Sequence, residues 1–561
     1  MILGENAFIN QQLENIYIPK TVKIIEKNCF NSDKLETVFF EGEVPLIDVS
    51  AFECLCGATI FCDINYKNEF YNVFSSAIGN DCTIKTFGKL NTKPVKTAVE
   101  IKKEVPIFDF ESNQNGGYTL VRYNGDEENV VIPAEFMGKP VTKIGFEALY
   151  TDKRFSNIKS VVVPDSVTEI DDWAFYRCFN METIVLSKNL VKIGENAFQN
   201  CDALKEINLG AKVQFIEDMA FSMCESLEKI NVSSENEFYK DIDGVLFDKS
   251  GKILINYPSG KLQELYKVPV GTEIIKNDSF RLHYTNNTCA LKKVYLPSSL
   301  KEIGQRAFMQ SSIELIEYKK GVKVGNNAYD GCKNAKTVNI DDGVTEISDG
   351  ALSGLEKCEN IVLPESLQKI GRYSFERLGA KNVLLPSSLK TICNNAFENS
   401  NLENVIIPSS LSEIGRHAFY LSSVKSIDFS LNSVLSSISD YCFSHCPALS
   451  TVKLNNVFEV SEGAFSYCYS LTNISLPKTL EAINSFAFAG SGIKEISIPN
   501  SVKLMGEGVF RDCYELKSAR LSSNANISKN TFDGCHKLEE VVSCKDNSFE
   551  FSLDSTKAKI A

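Results

Sequence analysis

Cys54, Cys56 and Cys62, with Cys82 further along, are the one group of metal-ligand residue types here that no internal pattern explains. A C-x-C pair with two more thiols is a donor set for zinc or a source of disulfides. The spacing matches no zinc motif. The segment also falls where the end of a repeat array needs small apolar residues, so free thiols are a third reading. Two carboxylate pairs, Asp171-Asp172 and Asp341-Asp342, are the next candidates for a cation, but both fall in turns, where acids are commonly solvated. General acid–base chemistry has few carriers, because the chain holds 4 histidines, His283, His417, His445 and His536. No H-E-x-x-H, G-x-S-x-G or G-x-x-x-x-G-K-[ST] pattern occurs. His417, His445 and His536 adjoin a recurring aromatic and read as variation on a repeat surface. The Ile-Gly elements are numerous, yet each glycine serves a turn, not a phosphate cradle. No cofactor or metal is expected, and no enzyme.

What positions these residues is a unit of about 22 residues that recurs almost from end to end. It reads as an apolar pair I-x-L, often a Pro, then L-x-x-I-G-x-x-A-F-x-x-C. The anchor aromatic falls at Phe8, Phe30 and Phe52, at Phe175, Phe198 and Phe221, and from Phe280 to Phe532, with Leu352 in the slot between Tyr329 and Phe375. Such a period belongs to a solenoid, whose coils bury their apolar faces only against their neighbours. In one coil, Ile207 and Leu209 alternate with polar residues, which predicts a short half-buried strand. Pro or Gly after the second inward residue, as at Gly210, Pro364, Pro386 and Pro408, ends that strand. The L-x-x-I spacing supplies a second extended piece. Gly-x-x-Ala-Phe is expected to form a helical turn or short helix that drops the aromatic into the core. Stacking then joins the first strands into one long parallel sheet with an exposed face. The expected class is α/β: a solenoid with a long parallel sheet and short helical turns, about 22–23 residues per coil.

A globular chain of 561 residues would split into several domains, whereas a solenoid grows by adding coils. A net charge of −13 without a basic stripe excludes nucleic acid as a partner. No apolar run is long enough to cross a bilayer, so no membrane insertion is expected. Met1 to Phe8 copies Val191 to Phe198. The chain thus enters in mid-repeat, and residue 1 is expected not to be a natural domain start. Of the 18 cysteines, Cys178, Cys201, Cys224, Cys332, Cys446, Cys468, Cys513 and Cys535 all follow the anchor aromatic by the same interval. The repeat sets their positions, as small apolar residues with a weak S–H donor in a tight turn. So many thiols fit a reducing or anaerobic setting.

The repeat fails twice. Residues 59 to 87 lose the motif and read as a cap, and the Lys-rich stretch after them has no apolar period. The boundaries expected are 1–87 for the end of a first array with its cap, 88–117 for a linker, and 118–561 for a second array. The second array opens at Tyr118 to Gly145 with a hairpin carrying an Asn124-Gly125 turn. The second failure is an insertion at 236–258, where two alternating runs around Lys249-Ser250-Gly251 suggest a hairpin projecting from the stack.

The pattern L-x-x-I-x-L-P followed by L-x-x-I-G-x-x-A-F-x-x-C resembles the BspA-like, or treponemal-type, leucine-rich repeats over most of the chain. The opening at Tyr118 to Gly145 and the insertion from Asp243-Gly244-Val245-Leu246-Phe247 to Tyr257-Pro258 are similar to segments between repeats in that family. The resemblance implies a right-handed leucine-rich-repeat solenoid. It also implies a surface-displayed or secreted binding protein acting in adhesion.

The strand residues that flank the inward pair face out, so an outward column can be read from the repeats. In three consecutive coils the column between inward residues is Val362, Leu384 and Ile406, and the column before it is Asn360, Asn382 and Asn404. An apolar stripe beside an asparagine ladder is a candidate binding surface. The plain alternative is that β-branched residues suit strands and stacked asparagines bond one another. Tyr17 with Phe39, and Tyr295 with Lys293, add aromatic contacts of the kind enriched at interfaces. The function expected is a non-enzymatic binding protein for a protein or glycan, at the cell surface or secreted. An intracellular protein–protein interaction scaffold is the alternative.

Overall fold

The computed structural model describes residues 2–3, 15–25, 37–41, 45–47, 59–63, 83–87, 107–150, 157–282, 290–432, 434–528, 530–543 and 559–560. Cys54, Cys56, Cys82, His283 and the anchors Phe8, Phe30 and Phe52 lie outside these. The chain forms two compact units, Met1–Glu104 and Val105–Ala561.

In the first unit, Asn15–Ile18, Thr37–Phe40, Thr59–Asp63 and Thr83–Phe87 form a parallel ladder from the I-x-L strands. Ile2–Leu3, Ile24–Ile25 and Leu46–Ile47 form a second ladder from the L-x-x-I segments. The stretch read as a cap, 59–87, thus contributes two further strands to the first ladder.

The second unit repeats this plan. Its L-x-x-I strands pair in strict register, Glu169 beside Lys192 and Ile170 beside Ile193, so isoleucine stacks on isoleucine inside while opposite charges meet outside. The I-x-L ladder, expected as one long sheet, is segmented. Asn129–Val131, Ser160–Val162 and Thr183–Val185 form one piece, and Leu315–Tyr318, Thr337–Ile340 and Asn360–Ile361 another.

Among the described residues there is no helix, which corrects the expected helical turns and the α/β class: the described chain is all-β. The reason lies at two positions per coil. Around Phe175, Trp173 and Arg177 take φ of 61° and 60°, and around Phe198, Asn196 and Asn200 take 56° and 61°. A left-handed residue every fourth position cannot continue an α-helix. The amides of Trp173, Phe175 and Arg177 instead donate to the carbonyls of Glu195, Ala197 and Gln199 one coil on, at 2.9, 2.8 and 3.0 Å. Tight turns therefore stack by hydrogen bonding between coils, as the strands do.

The anchor rings form the spine of the core. Phe175, Phe198 and Phe221 stack at 5.0 and 5.7 Å, and Phe397, Phe419, Phe443 and Phe465 at 5.2, 5.1 and 5.4 Å. Each buried ring contributes about 1.5–3 kcal/mol through lost apolar surface, and each stacked pair about 1 kcal/mol more. Leu352 is buried in the slot between Tyr329 and Phe375.

The opening hairpin lies earlier than expected. Phe108–Ser112, within the stretch read as linker, pairs antiparallel with Tyr118–Tyr123. Asn113 sets the turn, its Oδ1 accepting from the amides of Asn115 and Gly117 at 3.2 Å each. Asn124 instead donates its amide to Ile107 at 2.8 Å, across the open end of the hairpin.

The insertion does not project. Tyr239–Ile242, Val245–Asp248 and Ile253–Asn256 form an antiparallel meander, and the last strand pairs parallel with Ile274–Ile275. Val245, Leu246 and Phe247 are all fully buried. Leu246 belongs to the core that runs from Leu120 to Ile230, while Val245, Phe247 and Leu254 belong to the core that continues to Val541. Three consecutive apolar residues serve two cores, which is why this segment lacks the alternation of a solvent-facing hairpin.

Candidate binding surface

The alternation of the I-x-L segment leaves both columns exposed, although Val362 and Leu384 themselves lie outside any strand. Val362, Leu384 and Ile406 are 79, 83 and 54 % exposed, and Asn360, Asn382 and Asn404 beside them are exposed. The next column out is charged, with Glu403 held between Lys381 at 3.4 Å and Lys425 at 2.8 Å. Those two cations pull the Glu403 carboxyl below its usual range, the hydrogen bond from Lys425 acting most strongly. Beside Asn360 lies an open depression of about 670 Å³, lined by Lys336, Glu356, Lys357, Glu359 and Lys381 among others.

The asparagines do not form the expected continuous ladder. Asn382 falls in a stretch outside any strand, between Asn360–Ile361 and Asn404–Ile406. Asn404 instead accepts a hydrogen bond from the Ser426 hydroxyl at 2.7 Å. At the break the coil shortens by one position. Leu352 to Ile361 is 9 positions (361 − 352), whereas Phe375 to Val383 is 8 (383 − 375). The same step down, from Phe465–Ile474 to Phe488–Ile496, leaves Ser475 bridged to Lys453 behind it while Glu495–Ser497 opens a new sheet.

Tyr295 is 40 % exposed and Lys293 is exposed. Their strand pairs with Leu265–Lys267, which places Tyr295 beside Lys267 and Lys293 beside Leu265. It belongs to a different ladder piece from Asn360. In the first unit, Tyr17 stacks on Phe39 at 5.2 Å with 13° between the planes, and Phe39 on Phe61 at 6.3 Å. Lys85 closes the column 5.8 Å from the Phe61 ring.

Sequence reasoning singled out Tyr17 and Phe39 but missed Phe61 and Lys85, which occupy the same outward slot two and three strands on. It also missed Val131, Val162 and Val185, an in-register outward column 65, 38 and 58 % exposed. The signal was there: each is the middle residue of an inward pair.

The remaining chemical candidates resolve into structural roles. Asp171 pairs with Lys143 at 2.8 Å, and Asp172 accepts from the Glu195 amide at 2.8 Å. Asp341 accepts from the Lys320 amide at 3.3 Å. Among the described residues no cluster of three or more His, Cys, Asp or Glu is arranged to hold a metal. Cys62 is buried. Also among the described residues, no helix is long and apolar enough to cross a membrane.

A profile described as "BspA type Leucine rich repeat region (6 copies)" matches residues 1–90, 128–254, 257–379, 345–469 and 436–552. No curated protein sequence matches the chain. Among solved structures, a leucine-rich repeat protein of Bacteroides ovatus is 22% identical, with 82% of this chain and 99% of that one covered and a TM-score of 0.49. A leucine rich cell surface protein of Faecalibacterium prausnitzii is 21% identical over 79% of this chain and 94% of that one, TM-score 0.34. The pneumococcal vaccine antigen PcpA is 18% identical over 81% and 96%, TM-score 0.28.

Proposed function

The chain belongs to the BspA-type leucine-rich repeat family, and from that premise we propose a non-enzymatic binding protein that offers the outward face of its I-x-L strands to a protein or glycan. The observation that carries this reading is the stripe Val362, Leu384 and Ile406, exposed beside a polar column with a charged one beyond it. Apolar surface bordered by polar and charged groups is what a recognition surface offers. Asn360, Asn382 and Asn404 supply directional hydrogen bonds at its edge, and Tyr295 with Lys293 forms a smaller second contact. The coil is right-handed in this reading, as parallel strand connections are in nearly every protein. Display at the cell surface or secretion, and a role in adhesion or host interaction, follow from the family resemblance.

The free, buried cysteines favour a second reading, an intracellular protein–protein interaction scaffold. Protease shaving of intact source cells separates the two. Peptides that span Val362, recovered before lysis, support display. Recovery only after lysis, with the cells shown to be intact, removes the adhesin reading and leaves the scaffold.

A further inference from the structure

On the turn side of the coils, the two left-handed positions that flank each anchor hold residues that tolerate that conformation in some coils, such as Asn395 and Asn399, or Gly350 and Gly354, and larger residues such as Trp173, Met219 and Arg306 in others. Over the coils of Phe419, Phe443 and Phe465 the same positions carry His417, Tyr441, His445 and Tyr467, at φ of 56°, 52°, 55° and 58°. Tyrosine is strained there in a way that Asn and Gly are not. The turn itself does not require rings, since neighbouring coils close it without them. What sets these coils apart is not the strain, which Trp173, Met219 and Arg306 share, but rings at these positions on consecutive coils.

The rings form one connected layer. His417 stacks on Tyr441 at 5.3 Å and 13°, and Tyr420 meets His417 and His445 edge-on at 5.0 and 5.3 Å. His445 packs on Tyr467 at 4.5 Å. Gly463 and Gly490 make room beneath: a Cβ on either would come within 2.4 Å of the Tyr441 ring or 2.6 Å of the Tyr467 ring. Tyr467 and the adjacent Leu421 remain 38 and 44 % exposed.

The charge around this layer is mainly acidic. Glu398 and Asp440 face His417, and Glu462 accepts a hydrogen bond from the Tyr441 hydroxyl. Against them stands Arg416, whose guanidinium lies 5.3 Å from the Tyr441 ring centre. That contact is itself a sample of the chemistry: a guanidinium held by a ring quadrupole beside carboxylates.

We propose that the layer of His417, Tyr420, Tyr441, His445 and Tyr467 is a second recognition site, separate from the strand face, for a basic polypeptide segment. Arg or Lys side chains of the partner stack on the rings and pair with Glu398, Asp440 and Glu462, and Arg416 occupies one such place in the free protein.

The test is calorimetric titration of the full chain with a hexa-arginine peptide at physiological salt. Two variants accompany it: Tyr441→Asn/Tyr467→Asn, which installs a residue other coils use at these positions, and Arg416→Gln. The expected result is saturable binding by the native chain, about tenfold weaker in the ring variant at an unchanged melting temperature, and about threefold tighter in Arg416→Gln. A folded ring variant that binds as well as the native chain means that the peptide senses only the net charge of −13, and overturns the site. No saturable binding, or equal binding of a hexa-glutamate peptide, overturns it too. Should the ring variant unfold, Arg416→Gln decides alone, and unchanged or weaker binding there sinks the proposal.

Discussion

The thiol of Cys446 donates to the carbonyl of Phe419, the anchor of the preceding coil, at 3.1 Å, and both residues are fully buried. The bond recurs from Cys201 to Phe175 at 3.3 Å, Cys224 to Phe198 at 3.1 Å, Cys468 to Phe443 at 3.1 Å and Cys535 to Phe510 at 3.0 Å. The anchor carbonyl also accepts an amide of its own turn, as Phe175 does from Cys178 at 3.2 Å and Phe419 from Ser422 at 3.1 Å, and the thiol is a further donor. The repeat position therefore selects a small side chain that packs as a hydrophobe and still carries a proton to donate.

Cys446→Ala removes that proton and leaves the Phe419 carbonyl with the Ser422 amide, at 3.1 Å, as its donor. Losing one of the two hydrogen bonds at this acceptor costs about 0.5–1.5 kcal/mol. The expected loss is local and is measured by hydrogen exchange at the amides of Phe443 and Phe465, which bond to the next coil. Unchanged protection at both would mean that the thiol serves only as volume.

Burial pushes the thiols of Cys178, Cys332 and Cys446 up to about 12. The folded state thus holds protons that the unfolded chain releases near the ordinary thiol value, about 8.5. Stability from this source is fully present below that pH and is lost as pH rises toward 12. Each such thiol lowers stability by about 1.4 kcal/mol per pH unit in that window. Melting temperature is expected to fall steeply above about pH 9, while at pH 8 a thiol reagent reaches these three cysteines only after denaturant is added.

Asn432 fastens an irregular coil from inside. Its side-chain amide donates to the carbonyls of Pro408 and Leu411 at 2.7 and 2.8 Å, and its Oδ1 accepts from the amides of Val434 and Leu435 at 3.0 and 2.8 Å. Asn236 makes the same four bonds to Gly210, Val213, Phe238 and Tyr239. Asn432→Ala removes all four bonds, leaves the Leu411 carbonyl and the Leu435 amide without that partner, and is expected to cost about 2–4 kcal/mol in thermal unfolding. Asn432→Asp keeps the shape but loses both donors and buries a charge, so it is expected to cost more. An aspartate variant as stable as the native chain would refute this account.

Much of this was legible from period alone. The spacing of Ile207 and Leu209, the anchor slot and the cysteine slot fix which side chains stack, because a repeat places equivalent residues at equivalent depth. Val362 and Leu384 were legible as outward residues for the same reason. Turn geometry was not: Ala-Phe flanked by residues of good helical propensity looks helical until the left-handed values at Trp173 and Arg177 are known. The insertion was misread because Val245-Leu246-Phe247 alternates between two cores instead of between core and solvent. The ladder break at Asn382 falls where one coil is shorter than the last, which no single coil shows.

Leu246 and Phe247 are neighbours in sequence that serve different cores, so truncating them is expected to weaken different parts of one unit. The single tryptophan, Trp173, lies in the coil of Phe175 and reports on the first core. Leu246→Ala, at about 2–5 kcal/mol, is expected to shift the fluorescence transition of Trp173. Phe247→Ala, at about 3–5 kcal/mol, is expected to shift the bulk circular-dichroism transition and leave Trp173 nearly unchanged. Coincident shifts in both variants would show that the two cores unfold as one.

Leu384 lies at the centre of the exposed stripe and is 83 % exposed, so its replacement has little to disturb in the fold. Leu384→Asp, alone or with Val362→Asp, is expected to leave the melting temperature within about 2 °C of the native value, since surface changes seldom exceed about 0.5 kcal/mol. Binding is a different matter. A partner that covers the stripe must desolvate the new carboxylate, and truncation at the centre of an interface commonly costs more than about 1–2 kcal/mol, or about tenfold in Kd. The measurement is the Kd of each variant for whichever extracellular-matrix protein or glycan an array retains with the native chain, with Val131→Asp as the comparison on the other apolar column. Loss in Leu384→Asp alone places the contact at the 362–406 stripe. Loss in Val131→Asp alone moves it to the other column, and equal retention by both removes the strand face from consideration.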